Sequence, residues 1–260
     1  MNIGNLELSI LWPAFLAGLL VLATHVPLGQ QVLNRGIVFI DLAIAQVAGL
    51  GVTAADAFGF EPEGWRVQVA AVGAALVGAL LLTWTEKKWP EVQEALIGVL
   101  FVVAACIELL ILANNPHGGE HLKDLLVGQI LWVSVKSLIP IAALYAVALV
   151  VWFGFRRAIG QIGFYILFAL VVTQSVQLVG IYLVFASLIV PALAARRFAE
   201  RARLAVGYAV GLIGYVLGLV ASSLFDLPTG AVIVVSLLVT FIVTITISLV
   251  APARWRAVTA

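Results

Sequence analysis

The sequence predicts an all-α, polytopic helical membrane protein with about nine transmembrane helices, N-terminus outside and C-terminus inside. Of 260 residues, 63% are hydrophobic and only 10% are charged, against about 25% charged in an ordinary soluble domain. The apolar residues also fall into runs close to the ~20 residues that cross a hydrocarbon core of ~30 Å. Fourteen Lys and Arg against 13 Asp and Glu leave a formal net charge of +1, too little for a polyanion-binding surface, so lipid rather than nucleic acid is the expected surrounding.

The runs lie at about 8–25, 36–55, 66–84, 95–113, 137–155, 161–195, 204–222 and 229–250. No Lys or Arg precedes Arg35, so the first run lacks the basic flank of a cleavable signal and reads as a permanent span. The stretch from Gln161 to Ala195 would extend about 52 Å as one helix, far beyond the membrane core. It is therefore expected to be two helices, turning near Thr173-Gln174-Ser175-Val176-Gln177-Leu178-Val179-Gly180, where polar side chains can serve freed backbone groups.

Charge supports the division, because cytoplasmic loops hold an excess of Lys and Arg. With two passes in 161–195, the inside holds Arg35, Lys87, Lys88, Arg156, Arg157, Arg196, Arg197, Arg201, Arg203, Arg254 and Arg256, which is 11 of the 14 basic residues. Leu125 to Val135 is apolar but about 16 Å long as a helix, and is expected to lie at the outer surface or to dip in and return. Trp65, Trp84, Trp89, Trp152 and Trp255 fall at span ends, where indoles favour the headgroup region. Gly207, Gly211, Gly214 and Gly218 form a smooth stripe that suits close helix packing. With no long hydrophilic linker, residues 1–260 read as a single membrane domain.

An ionisable group within a span is costly unless paired or hydrated, which makes Asp41 and Glu108 the candidate path residues. Asp41, about one turn into the second span with Gln46 behind it, either lines a polar path or reaches the inner interface beside Arg35. Glu108 either pairs with a neighbouring helix or faces water at the outer mouth. Gln174 and Gln177 add polar groups at the expected turn. The outer loop Asn114 to Asp124 carries His117, Glu120 and His121, imidazoles and a carboxylate that suit a divalent first-row metal. The same residues also suit a plain hydrated loop. The single cysteine, Cys106, excludes an intrachain disulfide and a zinc site built on thiolates. No Gly-x-Ser-x-Gly, Gly-x-Gly-x-x-Gly or Gly-Lys sequence occurs, so no enzyme is expected, and any ATPase must be another polypeptide.

The segment Leu33-Asn34-Arg35-Gly36-Ile37-Val38-Phe39-Ile40-Asp41, followed by an Ala/Gly-rich helix, resembles the second span of the zinc and manganese permeases of ATP-binding-cassette importers. Further similar segments follow in order at Glu94 to Phe101, Val179 to Val184, Ile189 to Arg196 and Asp226 to Ile233. The resemblance implies a homodimeric permease of the bacterial cytoplasmic (inner) membrane with no permanently bound cofactor. It also implies a cytoplasmic ATPase subunit, a periplasmic or lipid-anchored metal-binding protein, and Zn or Mn as substrate.

Two departures from that family bear on mechanism. Its second span has a histidine four residues after the aspartate, where this chain has Ala45 followed by Gln46. Its cytoplasmic segment before the sixth span is longer than Phe155 to Gly160, so Arg156 and Arg157, together with Arg196 and Arg197 or the stretch Glu86 to Glu94, are expected to share the coupling to the ATPase. The alternatives are a related permease for a metal chelate or small organic ligand, and an ion-coupled secondary transporter, which the polar break at Gln174 to Gln177 would suit.

Overall fold

Apolar runs broken by glycine, proline and short charged stretches leave the chain few choices but helix, since in lipid each backbone polar group must be satisfied within its own segment. The computed structural model describes residues 8–61, 64–113, 118–155 and 159–250. The helices are α1 (Leu8–Arg35), α2 (Ile40–Ala57), α3 (Trp65–Lys88), α4 (Gln93–Leu112), α5 (Gly118–Val127), α6 (Val135–Phe155), α7 (Gly160–Val179), α8 (Ile181–Ala195), α9 (Glu200–Phe225) and α10 (Thr229–Val250). Eight of them are long and apolar enough to cross a membrane, and α8, with 15 residues, is shorter. The chain is thus a polytopic, all-helical membrane protein. It clusters into two compact units, one of Met1–Gly36, Val127–Tyr145 and Leu178–Ala260, the other of Ile37–Leu126 and Ala146–Gln177.

In the first unit α1 packs on α8 and α9, while α8 and α9 pack on α10. Helix α1 runs ten residues beyond the predicted end at 25 because Pro27 does not break it. Proline deprives the carbonyl four residues earlier, that of Ala23, of its helical donor, and the Tyr208 hydroxyl of α9 donates to that oxygen at 3.0 Å. The glycines of α9 serve two neighbours. A Cβ at Gly207 or Gly211 would meet Val26 or Leu22 of α1, and one at Gly214 or Gly218 would meet Leu237 or Ile233 of α10. Lipid offers no hydrophobic drive between helices, so such close approach supplies the packing energy. Helix α9 stops at Asp226, whose left-handed φ of 52° closes the turn before Pro228.

The break between α7 and α8 is the single residue Gly180. Thr173, Gln174, Ser175 and Gln177, expected near the turn, are helical instead. The Thr173 and Ser175 hydroxyls donate to the carbonyls of Ala169 (2.7 Å) and Val171 (2.9 Å), so both are satisfied within their own helix. Gly180 has φ 81° and Gly128, just after α5, has φ 71°. The two lie backbone against backbone, since a Cβ on either would strike the main chain of the other. The apolar segment after α5 forms a 3-10 turn at Ile130–Trp132, with Ile130 buried against this unit and Trp132 exposed.

In the second unit α2 packs on both α3 and α4. Small residues permit it: Gly51 lies against the Ala70 carbonyl and Ala74, and Gly78 against Val47. The corner between α3 and α4 is held by polar contacts. Thr85 Oγ1 donates to Gln93 Oε1 at 2.9 Å, and Gln93 Nε2 donates to the Leu82 carbonyl at 3.0 Å. Lys88 lies over both Trp84 and Trp89, 5.0 and 4.6 Å from their ring centroids. Trp152, expected at the headgroups, is instead 4% exposed and sits 5.9 Å from the ring of Phe164. Aromatic packing against α7 outweighs the interfacial preference of the indole. Trp65 and Trp84 are exposed as expected.

Candidate functional site

Helix α2 carries the polar groups. Asp41, Gln46, Gly49 and Thr53 recur at spacings of three to five residues, which gathers them toward one face along about 18 Å of helix. Two thirds of α2 is buried, including Asp41, Gln46 and Thr53, so this face is enclosed by protein.

Asp41 lies in the first turn of α2, is 0% exposed, and neither carboxyl oxygen has a hydrogen-bond partner among the described residues. The turn that holds it has no side-chain cap of its own. Its entry is held by Glu94 of α4, whose Oε1 accepts the Phe39 amide at 3.2 Å. Oε2 of the same carboxylate is buried and has no partner among the described residues. A carboxylate at a helix N-terminus faces the positive end of the macrodipole.

Further along α2, Glu108 of α4 is 1% exposed. The Gln46 amide nitrogen donates to its Oε2, and the Thr53 hydroxyl donates to its Oε1 at 2.8 Å. Of the two alternatives for Glu108, pairing with a neighbouring helix is the one found. A Cβ added at Gly49 would stand 3.6 Å from Glu108 Oε1 and 3.9 Å from Leu125 of α5. The missing side chain at 49 leaves room beside the carboxylate.

A second polar group joins α3 to α7. Gln68 Nε2 donates to Gln177 Oε1 at 2.5 Å, and Gln174 Nε2 donates to Gln68 Oε1 at 3.2 Å. Gln174 and Gln177 are therefore brought together, by a glutamine that the sequence reading did not single out. Thr53 and Glu94 were also missed. Thr53 was within reach, seven residues from Gln46 on the same helical face, whereas the bond from Glu94 to Phe39 spans 55 positions and leaves no local trace.

His117, Arg156 and Arg157 lie outside the described residues. Glu120 and His121 are in α5, but only their backbone is described. Arg196 and Arg197 are exposed at the end of α8. Among the described residues no three His, Cys, Asp or Glu side chains stand close enough to hold a metal together. The enclosed face instead offers two separate carboxylates, Asp41 without a partner among the described residues and Glu108 held by an amide and a hydroxyl, groups that can take the place of water around a cation in transit.

Comparison with known proteins gives a consistent picture. A model of the ABC 3 transport family matches residues 7–166 and 154–248. The chain is 23% identical over 248 residues to the high-affinity zinc uptake system membrane protein ZnuB of Haemophilus influenzae, covering 87% of this chain and 93% of that one. It is 24% identical to an uncharacterised membrane protein of Synechocystis sp., covering 92% and 91%. Among solved structures it is similar to PsaBC from Streptococcus pneumoniae in complex with Fab. There the TM-score is 0.75 at 21% identity, covering 94% of this chain and 93% of that one.

Proposed function

The chain belongs to the ABC 3 transport family, and from that premise we propose that it is the membrane subunit of an ATP-driven importer of a divalent transition metal, zinc or manganese. As a family member it is a permease, and it breaks no covalent bond itself. Residues 1–260 act as one permease domain of the bacterial inner membrane, N-terminus outside and C-terminus inside, working as a pair of identical chains. ATP hydrolysis belongs to a cytoplasmic partner that docks on the exposed Arg196 and Arg197 and on Arg156 and Arg157. A periplasmic or lipid-anchored binding protein delivers the ion over residues 114–124, where His117, Glu120 and His121 receive it.

The observation that carries this reading is Asp41. A carboxylate that is fully buried, lacks any partner among the described residues and lies in an apolar helix is retained at a cost of several kcal/mol. A passing cation repays that cost, because it supplies the missing opposite charge only while bound. Glu94, through Phe39, fixes the turn that presents it. The ion-coupled alternative rested on a polar break at Gln174 to Gln177. Those residues lie within an intact helix and bond to Gln68 of α3, so the break that favoured that alternative is not there.

The test is elemental mass spectrometry of metal-starved cells that lack the gene and carry either wild type or Asp41→Ala. Wild type should restore the missing metal. Asp41→Ala should not, although membrane levels of the protein remain normal. Normal accumulation by the variant would remove Asp41 from the path.

A further inference from the structure

Glu108 differs from Asp41 in being fully hydrogen-bonded, yet both of its donors are neutral. A carboxylate enclosed at 1% exposure between an amide and a hydroxyl keeps most of its desolvation cost, because neither donor supplies a full positive charge. If the three side chains served only to fasten α2 to α4, a glutamine at 108 would do so without that cost. The carboxylate is explained by a ligand that brings positive charge.

The cluster can turn to receive one. Rotation of the Gln46 amide by half a turn exchanges its nitrogen for its oxygen, and the Thr53 hydroxyl can swing its hydrogen away and present a lone pair. Two carboxylate oxygens, an amide oxygen and a hydroxyl oxygen are then available as ligands, with Gly49 leaving space beside Oε1. Among the described residues no nitrogen or sulfur ligand joins them. The histidines of the chain are 25, 117 and 121, none of them on α2 or α4. Ala45 is buried and offers only a methyl group. Cys106 is on α4 but exposed, two residues and about 200° around the helix from Glu108. Carboxylate, carbonyl and hydroxyl oxygens suit manganese, whereas zinc is favoured by imidazole and thiolate. Magnesium, also an oxygen binder, sheds its water reluctantly.

We propose that Glu108, Gln46 and Thr53 form a second cation station on the enclosed face of α2, and that the oxygen ligands these three residues offer favour manganese over zinc as the ion carried. This rests on the importer reading above, and the experiment separates the two.

Purified full-length chain in detergent is titrated with Mn2+, following loss of the electron paramagnetic resonance signal of the free aqua ion, with and without competing Zn2+. Glu108→Gln preserves size and hydrogen bonding and should weaken Mn2+ binding by about tenfold or more, the lower end of the effect of a lost metal-site group. Gln46→His keeps an N–H donor for Glu108 while adding an imidazole, and should shift the Zn2+ to Mn2+ preference toward zinc by a similar factor. Thr53→Val should weaken Mn2+ binding as well. A fastening role alone predicts no change of preference in Gln46→His. Wild-type Mn2+ affinity in both Glu108→Gln and Thr53→Val, or an unchanged preference in Gln46→His, overturns the station.

The same variants in metal-starved cells complete the test. If wild type restores zinc and leaves manganese low, the selectivity falls and the importer reading stands. If wild type restores no metal although Mn2+ binding depends on Glu108, the importer reading falls and the station stands.

Discussion

Replacing Gly180 by alanine should destabilise the chain through two separate effects. The residue has φ 81° and ψ 161°, a region that is essentially restricted to glycine and costs about 1–3 kcal/mol for other residues. The new methyl would also strike the Gly128 backbone, with Cα only 2.8 Å away. Two main chains cannot yield as a flexible side chain would, which adds about 1–3 kcal/mol of overpacking. Together these give about 2–6 kcal/mol. At ~2–4 °C per kcal/mol for a chain of this size, thermal unfolding followed by tryptophan fluorescence should fall by at least about 4 °C. Gly36→Ala is the control for conformation alone, because Gly36 has φ 72° and nothing within 4 Å, and it should cost only about 1–2 kcal/mol. Gly73→Ala controls for the methyl, since that helical glycine has neither strain nor neighbour, and should be neutral or stabilising by up to about 1 kcal/mol. If Gly180→Ala melted within about 1 °C of wild type, or if Gly36→Ala cost as much, the backbone contact would not be the source of the effect.

Two further predictions concern groups held from a distance. Tyr208→Phe leaves the Ala23 carbonyl without a donor and should cost about 1–3 kcal/mol; Pro27→Ala restores the helical amide, so the double variant should recover most of that loss in a thermal-unfolding cycle. Glu94→Ala removes the acceptor for the Phe39 amide, should cost about 0.5–2 kcal/mol in the same assay, and should lower metal uptake, whereas Glu94→Gln keeps an acceptor oxygen and should retain most of both.

Hydropathy made the helices legible, because a run of about 20 apolar residues has few other structures open to it in lipid. What escaped the sequence was decided by partners far along the chain. The first run is bounded at about 25, yet α1 continues through Pro27, where the Tyr208 hydroxyl, 185 positions from Ala23, serves the freed oxygen. Trp152 reads as an interfacial anchor until Phe164 is found beside it. Gln174 and Gln177 read as the neighbourhood of a turn, yet Gly180 alone makes the break, and Gln68 accounts for the polar side chains. In the candidate site Asp41 and Glu108 were visible as acids within apolar runs. Glu108's partner Gln46 lay on the helix already in question, but Thr53 needed the helical period to be carried two turns further.

The glycines of α9 have a mechanical consequence. Their two pairs lie on one face and engage different partners at successive heights, Val26 and Leu22 of α1 and Leu237 and Ile233 of α10, so the helix is keyed twice along its length. Turning it by one residue, about 100°, or sliding it by ~1.5 Å would push α1 and α10 side chains out of the notches that receive them. A force applied at its Glu200 end is then neither absorbed by rotation nor lost in slippage. It reaches the Asp226 turn, 26 residues away, as displacement of α1, α9 and α10 together.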